Sequence, residues 1–244
     1  MTEKSDATQI EEAIVQLGSN KVEDRQEAAW KLHDFTNRGI KGTDKAIPKL
    51  LEAIKDDDWA VRKLSIMALG KLHIKKAIPD FINYLNTDPS PEVRVGAVEA
   101  LTEMKITEAI PHLIKVLDQT TSAILQQEIV WSLGIFGALA FEAVPKLIEF
   151  LLKPEDVNFI QINNLAAWAL GKIGDKSAIE PLIKALYDAA YEERKFVIAF
   201  ALALLEGPDG IGFSELQKMK ENYELESFQI EQIDTLFKKE KKRT

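Results

Sequence analysis

Three histidines (His33, His73 and His112) and no cysteine occur among 244 residues, which leaves little material for metal or thiolate chemistry. Without cysteine there is no disulfide, no thiolate nucleophile and no Cys-ligated metal. The histidines lie far apart in the chain and read as helix-end or surface residues, so no metal site is expected. The serines lack a nucleophile-elbow motif and a base at useful spacing. Paired acids such as Glu11-Glu12 and Asp57-Asp58 are more simply solvated surface and helix-start carboxylates. No glycine-rich phosphate loop is present; Gly70, Gly134 and Gly171 fall inside helical patterns, where they allow close approach of a neighbouring backbone or of a ligand. No catalytic residue is assigned, and the chain reads as a binder rather than an enzyme.

The elements that would carry such binding repeat. Ala46-Ile47-Pro48, Ala77-Ile78-Pro79, Ala109-Ile110-Pro111 and Ala143-Val144-Pro145 share one phrase, and Ala178-Ile179 precedes Glu180-Pro181. A second phrase keeps step with it at Ala68-Leu69-Gly70, Ala100-Leu101-Thr102, Ser132-Leu133-Gly134, Ala169-Leu170-Gly171 and Ala201-Leu202-Ala203. Its leucines are 32, 32, 37 and 32 residues apart, a period that marks a solenoid of stacked supersecondary units. Apolar residues at i, i+3, i+4 and i+7, as in Ile47, Leu50, Leu51 and Ile54, paint one stripe on the first helix of each unit, with the proline in its first turn. The second helix opens after a polar turn such as Asp56-Asp57-Asp58 or Ser90-Pro91-Glu92. The fold class expected is therefore all-α, a right-handed α-α superhelix of about seven helix pairs starting near residues 8, 45, 76, 108, 142, 176 and 212. Residues 1–7 are expected as a disordered tail, 8–206 as the array, 207–238 as a degenerate capping pair and 239–244 as a basic tail. Two longer spacings place loops at Arg38–Thr43 and around Lys153–Asp156.

With Arg62 as origin, the equivalent second-helix residues are Arg25, Arg94, Gln126, Asn163 and Lys195. Five positions on, the register holds Trp30, Met67, Glu99, Trp131, Trp168 and Phe200, away from the buried stripe. Trp30, Met67, Trp131, Trp168 and Phe200 are the candidate partner-binding residues, because large apolar side chains at one exposed register build an amphipathic strip. The competing reading packs each ring between adjacent helices.

Gly174-Asp175-Lys176-Ser177-Ala178-Ile179-Glu180-Pro181-Leu182-Ile183-Lys184-Ala185-Leu186 resembles the HEAT-like repeats of the phycobilisome-lyase type, as does Asp58-Trp59-Ala60-Val61-Arg62 followed by Ala68-Leu69-Gly70-Lys71-Leu72. The resemblance covers residues 8–206 and implies a solenoid whose second helices line the inner curve. It also implies a polar ladder between units, for which Asp58 with Arg62 and Glu92 with Arg94 are candidates. Deoxyhypusine hydroxylase, a relative of this repeat type, holds iron through His-Glu pairs, and none of the three histidines here precedes a glutamate.

A net charge of −8 disfavours nucleic acid, no apolar run approaches the roughly 18–20 residues of a membrane span, and no signal peptide is seen, so a cytoplasmic location is the default. The first functional expectation is a non-enzymatic scaffold that binds a protein or peptide on the concave face, with no cofactor. The alternative is a subunit or relative of the E/F-type bilin lyases, which would hold an open-chain tetrapyrrole in the same groove. A DNA-alkylation-repair-like binder is the third reading, weakened by the acidic charge.

Overall fold

The computed structural model describes residues 5–153, 160–222 and 225–240, and among them the chain is helical without strands. Fourteen α-helices follow one another as seven pairs among the described residues. They are α1 (Asp6–Gln16) and α2 (Val22–Asn37), α3 (Ile47–Ala53) and α4 (Trp59–Lys71), α5 (Ile78–Thr87) and α6 (Pro91–Glu103), and α7 (Ile110–Gln119) and α8 (Ala123–Phe136). The remainder are α9 (Val144–Leu151) and α10 (Ile160–Ile173), α11 (Ile179–Asp188) and α12 (Glu192–Glu206), and α13 (Ile211–Asn222) and α14 (Ser227–Glu240). The chain forms two compact units, Met1–Ser132 and Leu133–Thr244, divided within α8. In the first, α2 packs on α4 and α4 on α6; in the second, α10 packs on α12 and α12 on α13.

The repeated phrase acquires a physical meaning here. Each Ala-Ile-Pro-type segment is preceded by a 3-10 turn, and the alanines that end those turns (Ala46, Ala77, Ala109, Ala143 and Ala178) expose no surface at all. A longer side chain has no room there. Pro48, Pro79, Pro111 and Pro145 then occupy the first turn of the helix, where an N–H would lack an intrahelical partner. The expected stripe is buried through Leu50, Phe81, Leu113, Leu147 and Leu182, and Leu101 of α6 is fully enclosed.

Second helices end on a residue in the left-handed region: Gly39, His73 and Lys105 in the first unit, Gly137 and Gly174 in the second. The amides of Ile40, Ile74 and Ile106 reach back to the carbonyls of Phe35, Leu69 and Leu101 at 3.0, 3.1 and 2.9 Å, closing the helix ends. His73 is thus a helix-stop residue, and His112 lies within hydrogen-bond distance of Asn86, 3.1 Å from its amide nitrogen. His33 is paired with Asn37 at 3.0 Å, and burial lowers its pKa.

One difference from the sequence reading concerns Ala123–Leu151, which is apolar and long enough on composition alone to cross a membrane. It is not one helix. Gly137 at φ 58° and Ala140 at φ −96°, ψ 25° break it into α8, a 3-10 turn and α9. The start of the chain differs as well: Ser5 accepts the Thr8 amide at 3.3 Å and opens α1 at Asp6. The first four residues, the loop and helix start expected around Pro154–Asn158, and the basic tail beyond Glu240 lie outside the described residues.

Candidate functional site

The polar ladder is built between repeats, with partners other than those the sequence pattern pairs. Asp58 does not bind Arg62: its carboxylate accepts the Ala60 and Val61 amides, both at 3.0 Å, and caps α4. Glu92 takes the Ser90 hydroxyl at 2.7 Å, and Arg94 donates to the Leu85 carbonyl. A short carboxylate at a helix start is nearest to the orphan amides, and they occupy it. The arginines reach the following turn instead. Arg25 donates to both Asp56 oxygens at 2.6 and 2.9 Å, and Arg62 to both Asp88 oxygens at 3.0 Å. Burial works against the Asp56 carboxylate, but the Arg25 hydrogen bond, the Asp58 amide and nearby guanidinium charge outweigh it and hold its pKa low. Further along, Gln126 and Asn163 donate only to carbonyls of their own turns, those of Thr120 and Lys153. The two arginine bridges tie α2 to the turn before α4, and α4 to the turn before α6.

In the first unit that register presents Trp30, 58% exposed, half-buried Met67, and Trp131, 39% exposed. Among the described residues neither tryptophan stacks on another ring. The register's one charged member, Glu99 on α6, faces Glu128 on α8 with Lys63 of α4 nearby. Burial raises both carboxyl pKa values. For Glu128, burial and then the Glu99 charge push it up to about 7, against the pull of Lys63. Glu99 stands at the same register position as Met67, and Glu128 holds its proton to higher pH than an ordinary carboxyl does. Gly96 makes the close fit possible, since a Cβ added there would stand 3.0 Å from the Lys63 Cγ and 3.5 Å from the Met67 Cγ.

The second unit brings Trp168 and Phe200 together on the wall of one groove of about 580 Å³. Trp168 and Lys172 come from α10, Phe196 and Phe200 from α12, and Phe228 and Leu236 from α14. Part of the Trp168 ring is committed to packing. A Cβ at Gly134 would lie 2.2 Å from its Cζ3, so that glycine is the seat of the ring edge, whereas Gly70 of α4 and Gly171 of α10 accommodate Ala100 of α6 and Ala201 of α12. The Lys172 ammonium lies 6.0 Å from the Trp168 ring centre. The α14 wall is anchored by Phe237 stacked on Phe213, with centres 4.7 Å apart and planes within 14°.

Sequence reasoning missed Glu128, Lys63, Lys172 and Phe228. Glu99 was a visible signal, as the lone acid in an otherwise apolar register. The α14 residues show only helical periodicity, because the last pair carries neither repeat phrase.

The family described as HEAT repeats matches residues 10–81 and 78–159, together more than half of the chain. This protein belongs to the HEAT-repeat family. The PBS lyase HEAT-like repeat matches residues 165–188 of the same chain. Among curated proteins, this HEAT-repeat chain is 30% identical over 160 residues to phycocyanobilin lyase subunit alpha of Nostoc sp. PCC 7120, covering 58% of this chain and 55% of that one. It is 32% identical over 128 residues to the subunit of the same name from Synechococcus elongatus, covering 49% and 45%. The matches thus span about half the length of these relatives. Among solved structures, a chain of the complex of CpcE and CpcF of phycocyanin lyase from Nostoc sp. PCC 7120 shares the fold, with a TM-score of 0.58 at 22% identity over 97% of this chain and 96% of that one. These relatives, both phycocyanobilin lyase subunits, overturn the expectation of a non-enzymatic scaffold. Repeat periodicity and composition alone do not distinguish the two, which is why the sequence reading favoured the scaffold.

Proposed function

We propose that this protein is a subunit or relative of the bilin lyases that holds an open-chain tetrapyrrole and passes it to an acceptor protein. The observation that carries the reading is the identity of 30–32% to phycocyanobilin lyase subunits. The register of Trp30, Met67, Trp131, Trp168 and Phe200 supports it, since flat conjugated ligands and protein partners are both held by aromatic and thioether side chains on a scaffold of rigid helices. The 244 residues contain no cysteine, so the pigment is held here without a thioether bond and remains free to leave. The cytoplasmic location and the protein partner, whether acceptor or second subunit, belong to the same proposal.

The test is the visible spectrum of phycocyanobilin mixed with the protein. A shifted and intensified band that disappears on denaturation, with the pigment recovered free, is expected. An unchanged spectrum with the protein in clear excess over the pigment would refute the reading. Trp131→Ala and Trp168→Ala are expected to weaken binding of pigment or acceptor protein by about 2 kcal/mol or more. If both variants melt early yet bind normally once folded, the register serves packing alone.

A further inference from the structure

We infer that the groove between α10, α12 and α14 is the seat of the tetrapyrrole, with Lys172 anchoring one of its carboxylates and α14 supplying the outer wall. This rests on the bilin-handling reading above and adds to it a place and a set of contacts.

Three features of the groove select that ligand class. Its volume of about 580 Å³ falls within the range of sites that enclose a mid-sized organic molecule. Its walls are aromatic on both sides: Trp168 and Phe200 are half-buried on the inner helices, and Phe228 stands 59% exposed on α14. Phe228 is a large ring held at a groove mouth with little protein to cover it, which suits a flat conjugated partner. Finally, Lys172 is the one cation among the lining residues, exposed and near the Trp168 face, while Glu231 of α14 is the one carboxylate. A bilin offers matching chemistry: a long conjugated ring system for stacking, and propionate side chains for a lysine at the rim.

Three other grooves among the described residues of this unit lack the combination. One is lined by Glu192, Glu193 and Glu226 with no cation, and would repel an acid. Another gathers Lys153, Lys184 and Arg194 but has no aromatic wall. A third carries Glu192, Lys195, Glu215 and Lys218, charges of both signs, with Tyr187 as its single ring.

The experiment titrates the full chain with phycocyanobilin and, in parallel, with its dimethyl ester, in which both propionates are neutral. The Kd is read from the absorbance change. The wild-type protein should bind the free acid about fivefold more tightly than the ester, a margin fitting one partly exposed ion pair. In Lys172→Gln that preference should vanish, with ester affinity unchanged. Lys184→Gln removes an equal charge elsewhere and should keep the preference. Phe228→Ala should weaken both ligands by about tenfold; because the ring is exposed, its melting temperature should stay at the wild-type value. If the wild type binds no pigment, the bilin-handling reading falls and this inference with it. If the wild type binds, but Lys172→Gln keeps the acid preference and Phe228→Ala binds normally, the pigment sits elsewhere and only this inference is overturned.

Discussion

Replacing Glu128 by glutamine is expected to stabilise the protein at pH 8 and leave it unchanged near pH 4. The Glu128 carboxyl has an ordinary pKa of 4.5, and burial beside Glu99 pushes it up to about 7 in the folded protein. Folded protein therefore holds this proton more tightly than unfolded protein does. Below pH 4.5 both states are protonated and the carboxyl costs nothing. As pH rises from 4.5 to about 7 the unfolded state gives up its proton first, and stability falls; above that range both are ionised and the loss is constant. At about 1.4 kcal/mol for each factor of ten in proton affinity, the full loss would reach about 3.5 kcal/mol. Water still reaches part of the carboxyl and Lys63 lies nearby, so screening leaves about 1–2 kcal/mol. An uncharged amide of the same shape escapes that loss. Thermal melts followed by circular dichroism at pH 4, 6 and 8 should show the variant gaining about 3–6 °C over wild type at pH 8, with the gap closing toward pH 4. A second measurement reads the proton directly: Glu99→Gln removes the neighbouring charge and should lower the midpoint of the Glu128 carbon resonance in an NMR titration. An offset between Glu128→Gln and wild type that is the same at all three pH values would refute the reasoning, since it would reflect packing rather than ionisation.

Leu101→Ala should destabilise by about 2–5 kcal/mol in denaturant melts, because the side chain is wholly enclosed; a loss below about 0.5 kcal/mol would mean the stripe faces elsewhere. Arg62→Met should cost about 3–5 kcal/mol by leaving the Asp88 carboxylate, only 4% exposed, without its guanidinium, and the double variant with Asp88→Asn should recover much of that loss. Lys105→Gly should stabilise by about 0.5–1 kcal/mol, since Lys105 holds φ 56° at a helix stop that glycine adopts without strain; the same melts would detect it.

The fold was legible because it repeats. Period, stripe and proline phase each point to helix pairs, and the first-turn prolines and enclosed alanines lie where that pattern puts them. Local rules carried this part, for a helix stripe depends on residues three and four apart. The ladder was less legible. Arg62 and Asp88 are separated by 26 residues, and which carboxylate an arginine reaches depends on the offset between stacked helices. Asp58, the acid nearest in sequence, was already engaged by its own helix start. Glu128 was hidden for a related reason: it lies two residues past its helix's origin, whereas Glu99 lies five past, so no common register flags the pair. The Trp168 groove depends on α14, whose apolar residues follow no repeat, and its outer wall could not be anticipated from the array.

The ladder also bears on how such an array can change length over generations. Each bridge joins an arginine to a carboxylate one unit downstream, and Arg62 and Asp56 belong to the same unit. Loss of that unit by unequal crossing-over would bring Arg25 opposite Asp88, and duplication of it would add one arginine and one aspartate together. Either event keeps each bridging guanidinium, Arg25 or Arg62, opposite a carboxylate. Arg94, Gln126 and Asn163 bind backbone oxygens of their own turns, so the units that carry them need no matching charge on the next one. Arg94 itself asks nothing of its downstream neighbour. It is the joint at which a charged series and a neutral series can be spliced, and each can lengthen independently of the other.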